Sequence, residues 1–342
     1  MKLATYQDGS RDGQLIVVSR DLRTAHYASG IASKLQQVLD DWRFYAPQLQ
    51  DLYDALNRAG EGGHSAALVR HAFPFDPRQC MAPLPRAYQW ASGTAYLNHA
   101  ELLRQPGDAP VRQSDPLMYQ SASDELAGPC HDVVCASEAA GIDFSAGLAV
   151  ITGDVRQGTP AGQALDEIRL FMLVNETHLR NLAPSAPGKG GSWLQSRPVT
   201  AFSPVAVTLD ELQFNGSSAW DKGRIQLTLQ SSWNGRKVGL CETGPEMTFH
   251  FGQLIAQVCK TRNVRAGSII GTGAVSSQNT SHGYSCIAEK RALEQRQDGK
   301  ALTGYMKYGD TIRIEMKGRD GKSLFGAIEQ EVVPPGGAPE RD

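Results

Sequence analysis

Long apolar runs and blocks of a single charge are missing from this chain of 342 residues. No stretch approaches the roughly 20 apolar residues that a membrane-spanning helix needs, and the first residues lack the apolar core of a secretory signal. The 34 basic and 36 acidic residues give a formal net charge of −2, without a basic block. Nucleic acid and membrane are therefore excluded as expected partners, and we expect a cytoplasmic protein.

Paired cysteine motifs are absent as well. The six cysteines are scattered without the C-x-x-C spacing of metal or redox sites, and a chain of this length can bury a core without disulfides. We expect them to be reduced structural thiols; they are Cys80, Cys130, Cys135, Cys241, Cys259 and Cys286. The glycine-rich segment Gly267–Gly273 is predicted to lead from a helix into a strand, the reverse of a nucleotide-binding loop.

The pattern of apolar residues divides the chain into two regions and a tail. Residues 1–78 contain a predicted strand pair and then helical spacing from about residue 31 to residue 57, broken by Pro47, which indicates a small α+β domain. Residues 79–333 read mostly as strands with one clear helix at Met247–Arg262. Residues 334–342 are predicted to be a disordered tail.

The stretch Gly141–Asp154 is the most informative one. Its apolar residues form a run of strand length that ends in a Thr-Gly-Asp turn, so it is predicted to cross a buried sheet. The run consists of Ile142, Phe144, Leu148, Val150 and Ile151.

From about residue 81 to residue 330 the chain resembles the fumarylacetoacetate hydrolase family. The resemblance is carried by the order and spacing of several short segments: Ala82–Pro85, Ile142–Phe144, Leu148–Val150, Leu173–Asn175, Phe202–Pro204, Gly267–Gly273 and Gly283–Glu289. It implies an α+β, mostly β fold, in which a mixed β-sheet roll follows the small N-terminal domain. It also implies a homodimer that cleaves a carbon–carbon bond or moves an enol proton in a 1,3-dicarbonyl or 2-oxo acid compound.

The same resemblance assigns a proton carrier. The segment Tyr96–His99 matches the family's Tyr-x-x-His step, so His99 is predicted to be catalytic. A carboxylate orients this histidine in the family, and Glu101 and Glu289 are both candidates here.

Substrate-contacting residues are assigned in the same way. Arg180 matches a family arginine that contacts substrate, and Arg197 occupies the position of a family lysine that polarises substrate. Tyr119 lies in a polar, proline-bounded loop that could line the pocket or cap a helix. Thr272 is a candidate hydrogen-bond donor in the Gly267–Gly273 segment, although a plain turn is an equal alternative.

The metal positions depart from the family pattern. Family members chelate substrate through magnesium, manganese or calcium held by four carboxylates, and the four positions are Ser92, Ser145, Gly147 and Glu176 here. Only Glu176 could ligate a hard cation. The sequence therefore predicts a degenerate metal site, with no cofactor confidently expected.

Three hypotheses remain open at this stage. In the first, the chain is a family enzyme in which Arg180 and Arg197 stabilise an enolate in place of the cation. In the second, it is a non-catalytic family member that serves as a ligand-binding or assembly protein. In the third, it is a metal-dependent hydrolase with relocated ligands, drawn from Asp115, Asp124 and Glu176, or from Glu176 with His178.

Overall fold

A computed structural model describes residues 1–58, 70–104, 114–182, 194–214 and 216–337. Residues 338–342, the end of the predicted tail, lie outside this range. The strands in chain order are β1 (Lys2–Tyr6), β2 (Gln14–Val18), β3 (Thr24–Tyr27), β4 (Phe73–Pro74), β5 (Gln89–Gly93), β6 (Met118–Gln120), β7 (Leu126–Ala127), β8 (Val133–Val134), β9 (Ile142–Asp143), β10 (Ala146–Thr152), β11 (Ile168–Glu176), β12 (His178–Leu179), β13 (Thr200–Phe202), β14 (Ala206–Val207), β15 (Gln213–Phe214), β16 (Ser217–Ser218), β17 (Trp220–Asp221), β18 (Arg224–Ile225), β19 (Thr228–Trp233), β20 (Arg236–Glu242), β21 (Ser268–Ala274), β22 (Thr311–Met316) and β23 (Ile328–Val333). The α-helices are α1 (Leu35–Asp40), α2 (Trp42–Asn57), α3 (Leu97–Leu103), α4 (Ala161–Ala164), α5 (Phe251–Cys259) and α6 (Ile287–Asp298).

Strand β10 lies at the middle of the main sheet, as the apolar run predicts. This sheet has the order β4-β3-β2-β1-β14-β11-β10-β21-β5-β6, and β13 and β7 join it beside β11. All seven residues of β10 are buried. Leu148 and Val150 face one core, whereas Ala149 and Ile151 face a second core on the opposite side of the sheet. A strand buried on both faces is uniformly apolar, which explains why this stretch lacks alternation.

The two faces of the main sheet are covered by different elements. A second sheet, β20-β19-β22-β23-β8, contributes Leu229, Ile314 and Ile328 to the core that contains Leu148. Helix α2 contributes Leu49 and Tyr53 to the core on the other face. This strand-rich arrangement with few helices confirms the predicted fold class.

The N-terminal strands extend the main sheet. Strand β1 pairs with β2 on one side and with β14 on the other, where Lys2 lies opposite Val207 and Leu3 opposite Ala206. The helical segment that follows is interrupted at Asp41, between α1 and α2, and Pro47 lies inside α2. The predicted break at Pro47 is therefore wrong. Pro47 is only the sixth residue of α2, so its missing N–H removes a single bond near the helix start.

Helix α6 has no counterpart in the sequence-based prediction. Its buried residues are Ile287, Ala288, Glu289 and Glu294, so its buried apolar side chains are confined to the first turn. Beyond that turn the helix has only Ala292 and Leu293 as apolar residues, adjacent and half-buried, so no helical period of apolar residues develops. The predicted helix at Met247–Arg262 is present but shorter, as α5. Among the described residues, no helix combines the length and apolar character needed to cross a bilayer.

Candidate active site

His99 and Glu289 form a hydrogen-bonded pair between two packed helices. His99 lies on α3 and Glu289 on α6, and the Nδ1 atom of His99 is 2.8 Å from the Oε1 atom of Glu289. The His99 side chain is 18% exposed and that of Glu289 is 4% exposed. A carboxylate only accepts hydrogen bonds, so the imidazole carries its proton on Nδ1 and Nε2 is left to accept or deliver a proton.

The position of α3 is fixed by its neighbours. The buried Tyr96 hydroxyl donates to the Thr243 carbonyl at 2.6 Å, immediately before the helix begins. Asn98 Nδ2 donates to Ser276 Oγ at 2.7 Å, and Arg296 of α6 donates to the Glu101 carbonyl at 2.6 Å. These contacts hold His99 against Glu289.

Glu101 does not orient His99. Its carboxylate accepts from Arg104 Nε at 3.0 Å, three residues along the same helix, and its side chain is 47% exposed. The helix turns about 100° per residue, so residues 99 and 101 point to different sides. Of the two predicted helper carboxylates, the structure places Glu289 beside His99.

Asp143 connects the start of α6 to Arg180. Its fully buried carboxylate accepts from the backbone N–H groups of Ile287 and Ala288 at 2.7 and 3.1 Å, where the helix begins. It also accepts from Arg180 Nε at 2.9 Å. Burial alone would lower the pKa of Arg180, but the Asp143 carboxylate, together with Cys286 and Tyr305, outweighs this effect and raises the pKa. Arg180 is therefore a permanently charged group held in place by an ion pair.

Glu176 is enclosed by hydroxyl and guanidinium groups. Ser92 Oγ donates a short hydrogen bond to Glu176 Oε1, and both residues are buried. Arg197 Nη1 lies 3.7 Å from Glu176 Oε2, and the Arg197 guanidinium stacks 4.3 Å from the centre of the Tyr119 ring. Strands β5 and β11, which carry Ser92 and Glu176, are separated by β21 and β10 in the main sheet. The contact between Ser92 and Glu176 at the ends of these strands brings together two of the four positions that the resemblance assigns to the metal site.

His178 is buried among these positive charges. It lies on β12 opposite Asp143 of β9, and only 8% of it is exposed. Burial, with the nearby positive charges of Arg180 and Arg197, lowers the pKa of His178 well below its ordinary value. Neither ring nitrogen of His178, nor Nη2 of Arg180, has a hydrogen-bond partner among the described residues. Buried polar atoms of this kind are usually matched by water or ligand.

The sequence matches two family descriptions that together span these elements. Residues 1–86 match the fumarylacetoacetase N-terminal domain 2, and residues 89–333 match the fumarylacetoacetate (FAA) hydrolase C-terminal domain. The chain belongs to the fumarylacetoacetate hydrolase family. This confirms the resemblance seen in the sequence.

Proteins similar to this chain in sequence or fold include hydrolases and isomerases. An uncharacterized protein of Pyrococcus abyssi is 26% identical over 236 residues, which cover 69% of this chain and 87% of that protein. The structure of maleylpyruvate hydrolase from Sphingobium sp. SYK-6, in complex with manganese(II) and pyruvate, aligns with a TM-score of 0.62 and 15% identity over 98% of this chain and 99% of that one. The structure of 2-hydroxyhepta-2,4-diene-1,7-dioate isomerase from Mycobacterium marinum aligns with a TM-score of 0.59 and 16% identity, over 98% of this chain and 100% of that one. At these identities the structural matches establish the fold.

The family's cation does not fit the side chains at the four metal positions. Of the residues that the resemblance assigns to these positions, only Glu176 is a carboxylate, and it already contacts Ser92 and Arg197. A Cβ atom at Gly147 would lie 2.4 Å from the Gly273 carbonyl oxygen, so strand β21 occupies the space that a ligating side chain would need. A hard divalent cation needs several anionic oxygens, which this donor set does not provide.

The relocated ligands proposed from the sequence are not brought together. Asp115 and Asp124 are exposed, whereas Glu176 is 3% exposed. The one group of three potential metal ligands within the described residues contains His99, Cys286 and Glu289. The structure therefore does not assemble Asp115, Asp124 and Glu176 into one site, whereas a site that combines Glu176 with His178 stays a prediction. The residues concerned lie on loops and strand ends whose relative positions the sequence does not encode.

Thr272 is not available as a substrate donor in this arrangement. Its hydroxyl donates to the Gly273 carbonyl at 2.8 Å and accepts from the Leu148 N–H at 3.1 Å, and the residue is fully buried. The hydroxyl thus serves the irregular pairing between β10 and β21, where the register shifts between Gly147 and Ala149. Of the two alternatives for this residue, the local structural one agrees with these contacts.

Sequence reasoning gave no role to Asp143 and treated Cys286 only as a structural thiol. Asp143 belongs to one of the matching segments, and a carboxylate within an apolar strand is the signal that marks it. Cys286 precedes α6, and burial, with the carboxylates of Asp143 and Glu289, raises the pKa of its thiol well above the ordinary value. Its proximity to His99 depends on the packing of α3 against α6.

Proposed function

We propose that the protein is an enzyme that acts on a carboxylated 1,3-dicarbonyl or 2-oxo acid compound without a divalent cation at the family's metal positions. In this proposal His99 moves the proton, Glu289 orients the imidazole ring of His99, and positively charged side chains stabilise the enolate. The reaction is hydrolysis of a carbon–carbon bond or the related enol proton transfer.

One observation carries the proposal: a proton carrier and several hydrogen-bond donors surround the same part of the molecule. His99 with Glu289 supplies an imidazole whose Nε2 is free of the helper carboxylate. Arg180 donates to Asp143, which lies opposite His178 and accepts from the first turn of α6, the turn that carries Glu289. Arg197 lies 3.7 Å from Glu176, two residues before His178. The unmatched nitrogens of Arg180 and His178 are suited to the oxygens of a carboxylate or a carbonyl.

The chemistry follows for 2,4-dioxopentanoate, a small compound that is both a 2-oxo acid and a 1,3-dicarbonyl. His99 removes a proton from water, the water oxygen attacks the C4 carbonyl, and the C3–C4 bond breaks. The electron pair of that bond moves into the enolate of pyruvate, and His99 returns the proton to C3 as acetate leaves. Fixed positive charge beside the enolate oxygen stabilises this step in a buried site, where charge interactions are strong.

Relatives support the substrate class. Maleylpyruvate and 2-hydroxyhepta-2,4-diene-1,7-dioate, the compounds in the names of two proteins of similar fold, carry carboxylates and a keto or enol group. We extend this chemistry to the present chain because Arg180 and Arg197 offer two guanidinium groups to such an anion.

The test is a turnover assay of the purified protein with 2,4-dioxopentanoate and maleylpyruvate, with and without EDTA. We expect the same rate of pyruvate release in both conditions. Loss of turnover with EDTA, restored by magnesium or manganese, would overturn the cation-free proposal. Binding of a 2-oxo acid without any turnover would favour the non-catalytic alternative.

Two variants separate the helper carboxylates. Glu289→Gln keeps the shape of the side chain but removes the charge that orients His99, so we expect kcat to fall by about 10²-fold or more. Glu101→Gln is the matched control, because the Glu101 carboxylate accepts from Arg104 and its backbone carbonyl accepts from Arg296, and kcat of this variant should stay within about twofold. Equal losses in the two variants would contradict the assigned dyad.

A homodimer is also proposed, on the basis of the resemblance to a family whose members commonly pair through this domain. Light scattering coupled to size-exclusion chromatography would measure it. A mass of one 37.0 kDa chain would contradict it.

A further inference from the structure

Cys286 makes the catalytic pair part of a larger donor cluster. One ligand atom from each of His99, Cys286 and Glu289 lies within 4.8 Å of the other two. Cys286 and Glu289 are fully buried or nearly so, and His99 is the one that reaches the surface. The cluster therefore combines thiol sulphur, imidazole nitrogen and carboxylate oxygen in a partly desolvated space.

We propose that His99, Cys286 and Glu289 form a binding site for a thiophilic divalent cation such as Zn²⁺. Zinc sites that retain an open coordination position take three protein ligands from these donor types, with metal–ligand distances of about 2.0–2.3 Å. A triangle with sides of at most 4.8 Å reaches such distances through side-chain shifts of less than about 1 Å. The site thus differs in position and in donor type from the family's four carboxylate positions, and Mg²⁺ would not occupy it.

The cluster is held in place by the elements already described. Cys286 is the N-cap of α6 and Glu289 is three residues further on, so their side chains lie on neighbouring positions of the first turn. The Asp143 carboxylate accepts hydrogen bonds from the backbone N–H groups of Ile287 and Ala288 in this turn. The backbone of Cys286 also pairs with that of Ser145 in an isolated antiparallel β-bridge. His99 comes from α3, which Arg296 ties to α6. Ligands held on rigid elements lose little entropy when a cation binds.

Occupation of this site and proton transfer exclude each other. The cation takes the place of the hydrogen bond between His99 and Glu289, and the thiol proton of Cys286 passes to solvent when the cation binds. A bound cation would therefore inhibit the enzyme. This consequence rests on the proposed function, whereas cation binding itself does not.

The experiment uses the full-length protein and Co²⁺ as a spectroscopic substitute for Zn²⁺. We expect one equivalent of Co²⁺ to produce a thiolate-to-cobalt charge-transfer absorption that Zn²⁺ removes and Mg²⁺ does not. Cys286→Ser should abolish this absorption and weaken Zn²⁺ binding in calorimetry by at least about tenfold. Cys130→Ser is the matched control, because Cys130 is the more accessible thiol, and its spectrum should be unchanged.

His99→Ala provides a second variant, at the most exposed of the three ligand positions, and it should also weaken Zn²⁺ binding. An absorption that persists in Cys286→Ser, that disappears in Cys130→Ser, or that is absent from the unmodified protein would overturn the proposal. These readouts need no turnover, so they remain decisive if the assay with 2-oxo acids fails.

Discussion

Gly147, which the resemblance assigns to a metal position, limits at the scale of a single residue what this part of the sheet can hold. Strands β10 and β21 approach so closely here that a Cβ atom would lie 2.4 Å from the Gly273 carbonyl oxygen and 3.2 Å from Thr272 Oγ1. Both neighbours are fixed, one as backbone and the other by hydrogen bonds to Gly273 and Leu148. A carboxylate at this position would require the sheet itself to move.

The first prediction concerns Gly147→Ala. Overpacking against a fixed carbonyl should lower the free energy of unfolding by about 1–3 kcal/mol, measured by denaturant titration. The control is Gly162→Ala in α4, where a Cβ meets nothing within 4 Å and where alanine should be neutral or stabilising by up to about 1 kcal/mol. Equal stabilities of the two variants would show that β21 yields easily at Gly147.

At the scale of elements, α6 is the structure on which the site depends. Its first turn carries Glu289, its N-terminus is held by Asp143, and its later part is anchored by Glu294. Glu294 accepts hydrogen bonds from the N–H groups of Leu302 and Thr303 at 2.7 and 2.8 Å, and from the Thr303 hydroxyl at 2.6 Å. The segment after the helix is thereby tied back onto it.

The second prediction follows from the charge of Glu294. Desolvation alone would raise its pKa, but the hydrogen bonds from Thr303 and Leu302 outweigh this effect and lower the pKa from 4.5 to about 2. Because the unfolded chain takes up the proton first, this contribution to stability is complete above pH 4.5 and is lost as the pH falls towards 2. Glu294→Gln should therefore be less stable at pH 7 and lose less stability on acidification.

Thermal midpoints measured from pH 7 down to pH 3 would check this prediction. Glu242→Gln, at an exposed position of β20, serves as the control and should follow the unmodified protein. If Glu294→Gln showed the same dependence on pH as the unmodified protein, the hydrogen bonds to the ionised carboxylate would not have the assigned effect.

At the scale of the whole molecule, the N-terminal region is part of the main sheet. Strand β1 pairs along β14, and helix α2 covers one face of the sheet through Leu49 and Tyr53. The two family domains meet within a continuous set of backbone hydrogen bonds, although their sequences end and begin near residue 87.

The third prediction is the effect of deleting residues 1–78. The deletion would expose the β14 edge and the apolar core that α2 covers, so we expect aggregation instead of an independently folded C-terminal domain. The soluble fraction and the cooperativity of thermal unfolding measure the outcome. Deletion of residues 338–342 is the control, and a soluble, cooperatively unfolding 79–342 fragment would contradict the prediction.

The sequence by itself determined the fold class and the family, and it singled out His99 as the candidate proton carrier. Gly141–Asp154 is recognisable because a strand buried on both faces must be apolar throughout, and Tyr96–His99 is a local motif. The departures from the family pattern that the resemblance assigns to Ser92, Ser145 and Gly147 are predicted position by position, since each depends only on the chemistry of one residue.

Only the tertiary structure decided which groups meet. Glu289 and Glu101 are equivalent as candidates in sequence, but the packing of α6 against α3 places Glu289 beside His99 and leaves Glu101 with Arg104. The same packing brings Cys286 to this pair, although it lies 187 positions further along the chain. Contacts between distant segments form when several elements pack into one core, and a local pattern of residues does not show which elements will pack together.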